Sequence, residues 1–486
     1  MTKTHKVLCD LALGHQRVGF SGIPQDTRLL FSGLLESKQV DVSGLIMGVD
    51  QDVFSFYGDN EWEDVSVFLG NYLNGQEIIR NYGLLEKVLK KTFPSIHSMA
   101  RRYIDSSPYQ FNLNDIPGEF KNSVWRQFFS ATLDSDRQES IQLANFLWTR
   151  MSISRISHAT LGRLRQCELN TKGIDFLLLQ DSRPIKVSSN TKKIIRYHDA
   201  LPVFSSDTMK NQLQTLDHIR SIKACENDSV YVCNSDSSLD ELANLSPIAA
   251  EHARVIPYFL PKIEKSNTDK KTLKSICDLR RSPSTKKDAS RISTDSWFKS
   301  GDDIPDYILS LATIEPRKNF IGLINAWSKL RNRSGKDIKL MIVGRPGWEF
   351  EATLKTMRPF VESGDLLHLE GVAQHELSHL YSSASCFVFP SFGEGFGLPP
   401  NEAMQCDCPV AMSDIPAHRY SAGEAALYFN PYDTDDMANK IGTILDQKPD
   451  SALLKSLRQK GRQNVERYSI QTVLPLWEKL FSDLNK

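Results

Sequence analysis

The stretch that most restricts this chain runs from Cys386 to Asp407, CFVFPSFGEGFGLPPNEAMQCD. It opens on an unbroken apolar run, Cys386 to Pro390, of strand length and without alternation, as in a strand buried on both faces. Gly393, Gly395 and Gly397 then form a loop, and Pro399-Pro400 mark the first turn of a helix, where a missing N–H costs nothing. Strand, glycine loop and helix start in that order belong to an α/β fold. They direct free backbone N–H groups at a point beyond the strand's carboxyl end, a place suited to a phosphate or a sugar hydroxyl. Glu394 lies inside the loop and Glu402 in the first helical turn, with E-x7-E spacing.

The same grammar recurs along the second half. Strands are expected at 307–312, 338–343, 366–369, 386–390, 409–412 and 425–429. Helices at 320–331, 350–362, 376–383, from 401 onward and 435–445 alternate with them. Regular alternation predicts a parallel, doubly wound sheet. The first half reads similarly at its ends. A strand at 6–13 runs into a glycine-bearing loop ending at Gly22 and then an amphipathic helix to Leu35, and further strands are expected at 42–47, 176–180, 193–197 and 230–234. Between about 59 and 165 the pattern turns helical and aromatic. Lys87, Lys90, Lys91, Arg101 and Arg102 lie there beside Leu84, Leu85, Leu89 and Phe93, a basic amphipathic stretch that suits an ordinary surface helix and also peripheral contact with an anionic membrane. Residues 263–303, rich in Lys, Arg, Ser, Thr and Asp, read as a long interdomain loop. The expected division is therefore residues 1–262, a loop at 263–303, residues 304–470, and a last helix at 471–486 that crosses back to the first domain.

With 486 residues, 40% hydrophobic and 24% charged, the chain has room for two or three globular domains. Lys+Arg and Asp+Glu both number 59, which removes the basic footprint of a nucleic-acid binder. Eight scattered cysteines, several in apolar runs, fit reduced core thiols of a cytoplasmic protein. No run reaches the length of a membrane-crossing helix, and the N-terminal apolar run is too short for a signal peptide.

Three more places at strand ends carry chemistry. Arg317 and Lys318, in Thr313-Ile314-Glu315-Pro316-Arg317-Lys318-Asn319, put two cations where a diphosphate would sit, one as a fork and one as a point charge. His198, in His198-Asp199-Ala200-Leu201-Pro202, follows a strand and faces the crevice. Val343-Gly344-Arg345 and Gly371-Val372 end two further strands.

The glycine loop with its two glutamates resembles the signature of the retaining glycosyltransferase family 4. The resemblance covers the last third of the chain well and the first half loosely. It implies the GT-B architecture: two Rossmann-like domains facing a cleft, here with a helical insertion in the first. It implies Glu394 beside the donor sugar, Glu402 on the nucleotide ribose, Lys318 on the donor pyrophosphate and His198 at the sugar or reaction centre. Gly344 and Arg345 would lie near the nucleotide, Val372 at the base edge, and Gly22 over the phosphates. Gly395, Phe396, Gly397 and Leu398 would offer backbone N–H groups. Many members carry an arginine where this chain has Ala312, so Arg317 is expected to supply that charge. The segment Arg254–Tyr258 resembles the family's V-x-P-N before its linker. The run I-E-P-R-K-N-F looks most like bacterial mannosyltransferases of surface-polysaccharide assembly. The resemblance thus implies GDP-mannose as donor, a glycan or lipid-linked acceptor, and no metal or other cofactor.

Three rival readings remain open at this level. His375-Glu376-Leu377-Ser378-His379 fits the H-E-x-x-H pattern of zinc peptidases, with Asn401-Glu402 downstream for a third ligand. The same segment also fits the family's short helix carrying Glu376, Leu377, Leu380 and Tyr381. A sugar-nucleotide epimerase of the same fold and a degenerate sugar-binding scaffold are the other two.

Overall fold

The computed structural model describes residues 4–14, 22–48, 110–112, 119–130, 132–152, 167–204, 213–286, 297–298 and 304–485. Two sheets organise them. The first contains β1 (His5–Asp10), β2 (Val40–Gly48), β3 (Gln110–Asn112), β4 (Asn145–Ser152), β5 (Phe176–Leu179), β6 (Lys192–Tyr197), β7 (Ser229–Cys233) and β8 (Arg254–Val255), in the order β3-β4-β2-β1-β5-β6-β7-β8. Only the edge strand β3 pairs antiparallel. The second contains β9 (Tyr307–Leu311), β10 (Lys339–Val343), β11 (Leu366–Leu369), β12 (Cys386–Phe389), β13 (Val410–Ser413) and β14 (Ala426–Phe429), in the order β11-β10-β9-β12-β13-β14. The pairs β9–β12 and β12–β13 are parallel, with Phe387 opposite both Leu309 and Val410. Helices cover both faces, which is why β5, β10 and β12 are buried throughout and carry no polar alternation.

The two cores meet at short crossings. Phe259 belongs to the first core and Ile263 to the second, so the chain passes over within those residues. It returns after a helix whose Leu454 and Leu457 are in the second core. The closing helix, Ile470–Leu484, then buries Val473, Trp477, Leu480 and Phe481 in the first. Glu478 on that helix accepts from Ser37, and Ser482 meets His5 at 3.4 Å. The outward and return crossings touch, with the N–H of Leu260 donating to the carbonyl of Tyr468 at 3.0 Å.

Two stretches differ from the sequence reading. Residues 263–303 were expected to be loop. Instead Lys270–Arg280 is a helix capped by the Asp269 side chain on the N–H of Thr272, and it buries Leu273, Ile276 and Cys277. Only those three apolar residues, at i, i+3 and i+4, mark its inner face, so the surrounding charges hide it from a composition argument. After it, Arg281 bridges antiparallel to Leu369 and so covers the edge of β11. Trp297 and Phe298 are buried in the same second core. The second stretch is 59–165. Residues 59–109, with Lys87, Lys90, Lys91, Arg101 and Arg102, lie outside the described residues. Further on, a helical segment holding Phe128 and Phe129 is followed by β4, a parallel strand where helix was expected. The ring of Phe31, from the helix Ile23–Leu35 (α1), stacks on Phe129 and lies 5.8 Å from Phe146. Phe128, Phe129 and Phe146 of the aromatic run thus belong to the first core.

Candidate active site

The strand–loop–helix segment folds as its sequence suggests. β12 ends at Phe389, the loop follows, and a helix spans Leu398–Gln405. Gly397 caps that helix at φ 93°, a left-handed conformation that glycine adopts without strain. Pro399 and Pro400 remove two donors from its first turn. The N–H groups of Gly395, Phe396, Gly397 and Leu398 take no partner among the described residues.

Glu394 is 10% exposed and holds both cations expected for a diphosphate. Lys318 Nζ donates to Oε1, and Arg317 Nη1 lies 3.0 Å from Oε2. Arg317 also donates to the Gly393 carbonyl at 2.6 Å and to Glu315 at 2.7 Å. Its Nη1 thus ties the loop after β9 to the glycine loop. Lys318 keeps two further N–H donors and sits over the Phe389 ring, 5.4 Å from its centroid. Two cations against two carboxylates leave the cluster without net side-chain charge. Burial opposes ionisation of Glu394. The charges of Lys318 and Arg317, with the hydrogen bond from Lys318, win and hold its carboxyl well below the usual range. Burial and the charge of Arg317 lower the Lys318 ammonium.

The first sheet brings its own strand ends to this loop. A Cβ on Gly395 would lie 2.7 Å from the His198 carbonyl oxygen and 3.0 Å from Asp199 Oδ2, so a side chain-free residue is needed where the domains close. His198 is buried, its Nδ1 2.6 Å from the Tyr258 hydroxyl, and its Nε2 has no partner. Burial, reinforced by Arg196, pushes its pKa down to about 3, so the ring is neutral. Asp199 is raised by burial although Arg317 pulls it down across the cleft.

Glu402 is buried at the start of the helix after the loop. Its Oε1 accepts from Gln25 Nε2 of α1 at 2.8 Å, and its Oε2 accepts from the Tyr381 hydroxyl at 2.9 Å. Burial raises its pKa. Gly22 caps α1 at φ 68°, one turn from Gln25. Gly344 answers a packing demand: a Cβ there would overlap the Ala312 carbonyl oxygen. Arg345 is exposed on the turn that follows, and Val372 packs half-buried against the second core beside Gly371 at φ 66°.

The H-E-x-x-H segment has structural work instead. It lies on the helix Gln374–Ser383, where Glu376 caps the N–H of Ala373 at 2.7 Å and takes Arg280 with both oxygens. His379 meets Thr268 at 2.9 Å, while Asn401 is tied to Asn464 at 2.8 Å. Among the described residues no group of three or more His, Cys, Asp or Glu is placed to hold a metal ion. All eight cysteines are free and buried.

Sequence reasoning did not single out His418. It lies on the helix Pro416–Ala422 after β13, donates from Nδ1 to the Ser413 carbonyl at 2.9 Å, and packs tilted against Phe389, 5.4 Å between centroids, close to Gly397. Burial lowers its pKa to about 4, against the pull of Glu394. The signal was available, since it too follows a buried strand at the sheet's carboxyl end. Gln25 and Tyr258 were also passed over. Their partners are distant in sequence, and nothing local marks them.

Comparison with known proteins agrees with this geometry. Residues 294–464 match the family model of glycosyl transferases group 1. The O-antigen chain mannosyltransferase B of Escherichia coli is 34% identical over 169 residues, 34% of this chain and 44% of that protein. The O-antigen chain mannosyltransferase RfbU of Salmonella typhimurium is 35% identical over 150 residues, 30% of this chain and 40% of that protein. The chain thus matches less than half the length of either relative. A sucrose-phosphate synthase from Thermosynechococcus elongatus superposes with a TM-score of 0.54 at 14% identity, covering 99% of both chains. A glycosyltransferase from Rickettsia africae does so at 0.51 and 12%, covering 100% of this chain and 99% of that one. The fold is GT-B, with two Rossmann-like domains facing across a cleft.

Proposed function

We propose, from a second domain that is a glycosyl transferases group 1 domain in a GT-B frame, that this chain transfers a sugar from a nucleoside-diphosphate donor. The observation that carries the reading is the Lys318–Glu394–Arg317 cluster, placed at the carboxyl edge of the second sheet under free loop N–H groups and against His198 of the first. As the bond to the anomeric carbon breaks, negative charge grows on the β-phosphate. Lys318 and the N–H groups of Gly395 to Leu398 are the donors available to it. Arg317 holds the loop that carries them. Glu394, kept ionised, accepts from sugar hydroxyls and stabilises an oxocarbenium-like centre. Its two oxygens already bind cations, which suits it to that electrostatic work rather than to covalent attack. Transfer with retention then needs no enzymic nucleophile, and in this reading no metal takes part, the cations above serving in its place.

Glu402 is the acceptor for ribose hydroxyls, and a nucleotide would displace Gln25 from it. For donor we propose GDP-mannose, and for acceptor a glycan or lipid-linked glycan of surface-polysaccharide assembly, following the O-antigen mannosyltransferases to which part of the chain is similar. The test is incubation with GDP-mannose, UDP-glucose and dTDP-rhamnose, with and without a polyprenyl-linked glycan, measuring nucleoside diphosphate release. Acceptor-dependent release with GDP-mannose and an α-linked product is expected. Conversion of the donor without any acceptor would replace transferase by epimerase.

A further inference from the structure

The crossing between the domains contains a buried tyrosine whose partners are all accounted for. Asn234 Nδ2 donates both to the His198 carbonyl at 2.7 Å and to the Tyr258 hydroxyl at 2.8 Å. A phenol oxygen that accepts from an amide has its own proton left to give. The remaining neighbour is His198 Nδ1, at 2.6 Å. We infer that Tyr258 is a positioning residue for the reaction: it donates to Nδ1 of His198 and so fixes that ring as the neutral tautomer with its proton on Nε2, the atom left to donate to a hydroxyl oxygen of the transferred sugar. The inference rests on the transferase reading for its sugar, but not for its tautomer.

The surroundings hold the phenol in this role. Arg196, from β6, donates to the carbonyls of Ile256 and Pro257, which fixes the backbone on either side of the crossing's start, and its Nε reaches Asp26 of α1 at 3.2 Å. Its guanidinium also lies 4.9 Å over the Tyr258 ring. A cation over the face of a phenol favours electron density in the ring and makes the hydroxyl a better donor. Tyr258 also packs on Phe396 of the glycine loop, with ring centroids 4.9 Å apart. The residue that orients His198 is therefore seated by the loop that carries Glu394. Only when that loop is against the first domain is the histidine held by a tyrosine packed on Phe396 as well as under Arg196. The Nε2 of His198 is buried without a partner, as expected of a donor whose acceptor arrives with the substrate.

The experiment uses the full chain with ¹⁵N-labelled histidine rings, His198 being identified by the resonance lost in His198→Gln. The wild type is expected to show a proton on Nε2 and a bare Nδ1. In Tyr258→Phe the two nitrogens should lose that distinction. Turnover should fall about tenfold, the equivalent of one hydrogen bond, with KM for the donor little changed. If Tyr258→Phe does not fold, 3-fluorotyrosine incorporation strengthens the phenol as a donor without opening a cavity, and the Nδ1 resonance should move. A proton on Nδ1 in the wild type, an unchanged ring in Tyr258→Phe, or an Nδ1 resonance indifferent to fluorination would overturn the inference. The expected tautomer in a protein that transfers no sugar would instead retire the transferase reading and leave the hydrogen bond standing.

Discussion

Replacing Gly395 by alanine tests whether the two domains work closed, as they stand in this structure. The new Cβ would lie 2.7 Å from the His198 carbonyl oxygen and 3.1 Å from the Asp199 Cβ, where non-bonded atoms prefer about 3.5 Å or more. Neither neighbour is free to retreat. The His198 carbonyl is held by Asn234, and the Asp199 carboxylate accepts from the N–H of Leu201. The cleft must therefore widen by about half an ångström to an ångström. Inserting a methyl into a packed contact costs roughly 1–3 kcal/mol. Here the cost falls on closure rather than on either core, so the closed population should drop by about 5- to 150-fold. The assay is kcat/KM for donor and acceptor, paired with small-angle scattering and thermal unfolding. Activity should fall by at least about fivefold, the radius of gyration should rise, and unfolding of the separate cores should shift little. A variant within twofold of wild type would refute the reasoning, since the chemistry would then not need this contact.

Other perturbations separate the parts. Lys318→Ala should cost roughly 3 kcal/mol of transition-state stabilisation, on the order of a hundredfold in rate, and a loss under threefold in kcat/KM would remove Lys318 from that role. Trp477→Ala should destabilise by about 3–5 kcal/mol in urea unfolding, because the fully buried ring joins the closing helix to the first core; a shift below about 1 kcal/mol would show that the helix is not needed there. His198 and His418 bring a pH dependence with a definite sign. Their folded pKa values, about 3 and about 4, lie below the ordinary histidine value, so the unfolded chain binds more protons as pH falls. Stability should therefore be fully present above about pH 6.5 and fall as the pH drops toward 4. The unfolding free energy of His418→Asn should fall less steeply over that window, by up to about 1.4 kcal/mol per pH unit, and an unchanged slope would mean that His418 is not held neutral.

Most of the second domain was legible because each of its strands is a short apolar run followed by a turn and a helical pattern. Phe387 and Met341 have only apolar neighbours in sequence to either side, and the glycine loop after β12 announced its own geometry. What stayed hidden depends on contacts between distant residues. The helix Lys270–Arg280 buries only Leu273, Ile276 and Cys277, with Leu279 exposed among the charges, and becomes a helix because the second core has room for those three. β4, NFLWTRMS, alternates weakly and is drawn into the sheet by β2. In the site, Lys318, Glu394 and Glu402 stood out by type and spacing. That Arg317 would bond to Glu394 and the Gly393 carbonyl, and that Tyr258 would hold His198, are facts of how each domain folds, and that Gln25 would reach Glu402 is a fact of domain closure. No local window contains both partners of any of those bonds.

The most direct measurement is calorimetric titration of the wild type and Lys318→Ala with GDP, UDP, dTDP and ADP under identical conditions. The account predicts that one of them, GDP on the present reading, binds the wild type, and that its affinity drops at least about tenfold in Lys318→Ala, a loss of about 1.4 kcal/mol. If no nucleoside diphosphate binds, or if the one that binds does so equally well without Lys318, the cluster around Glu394 is not a donor-diphosphate site.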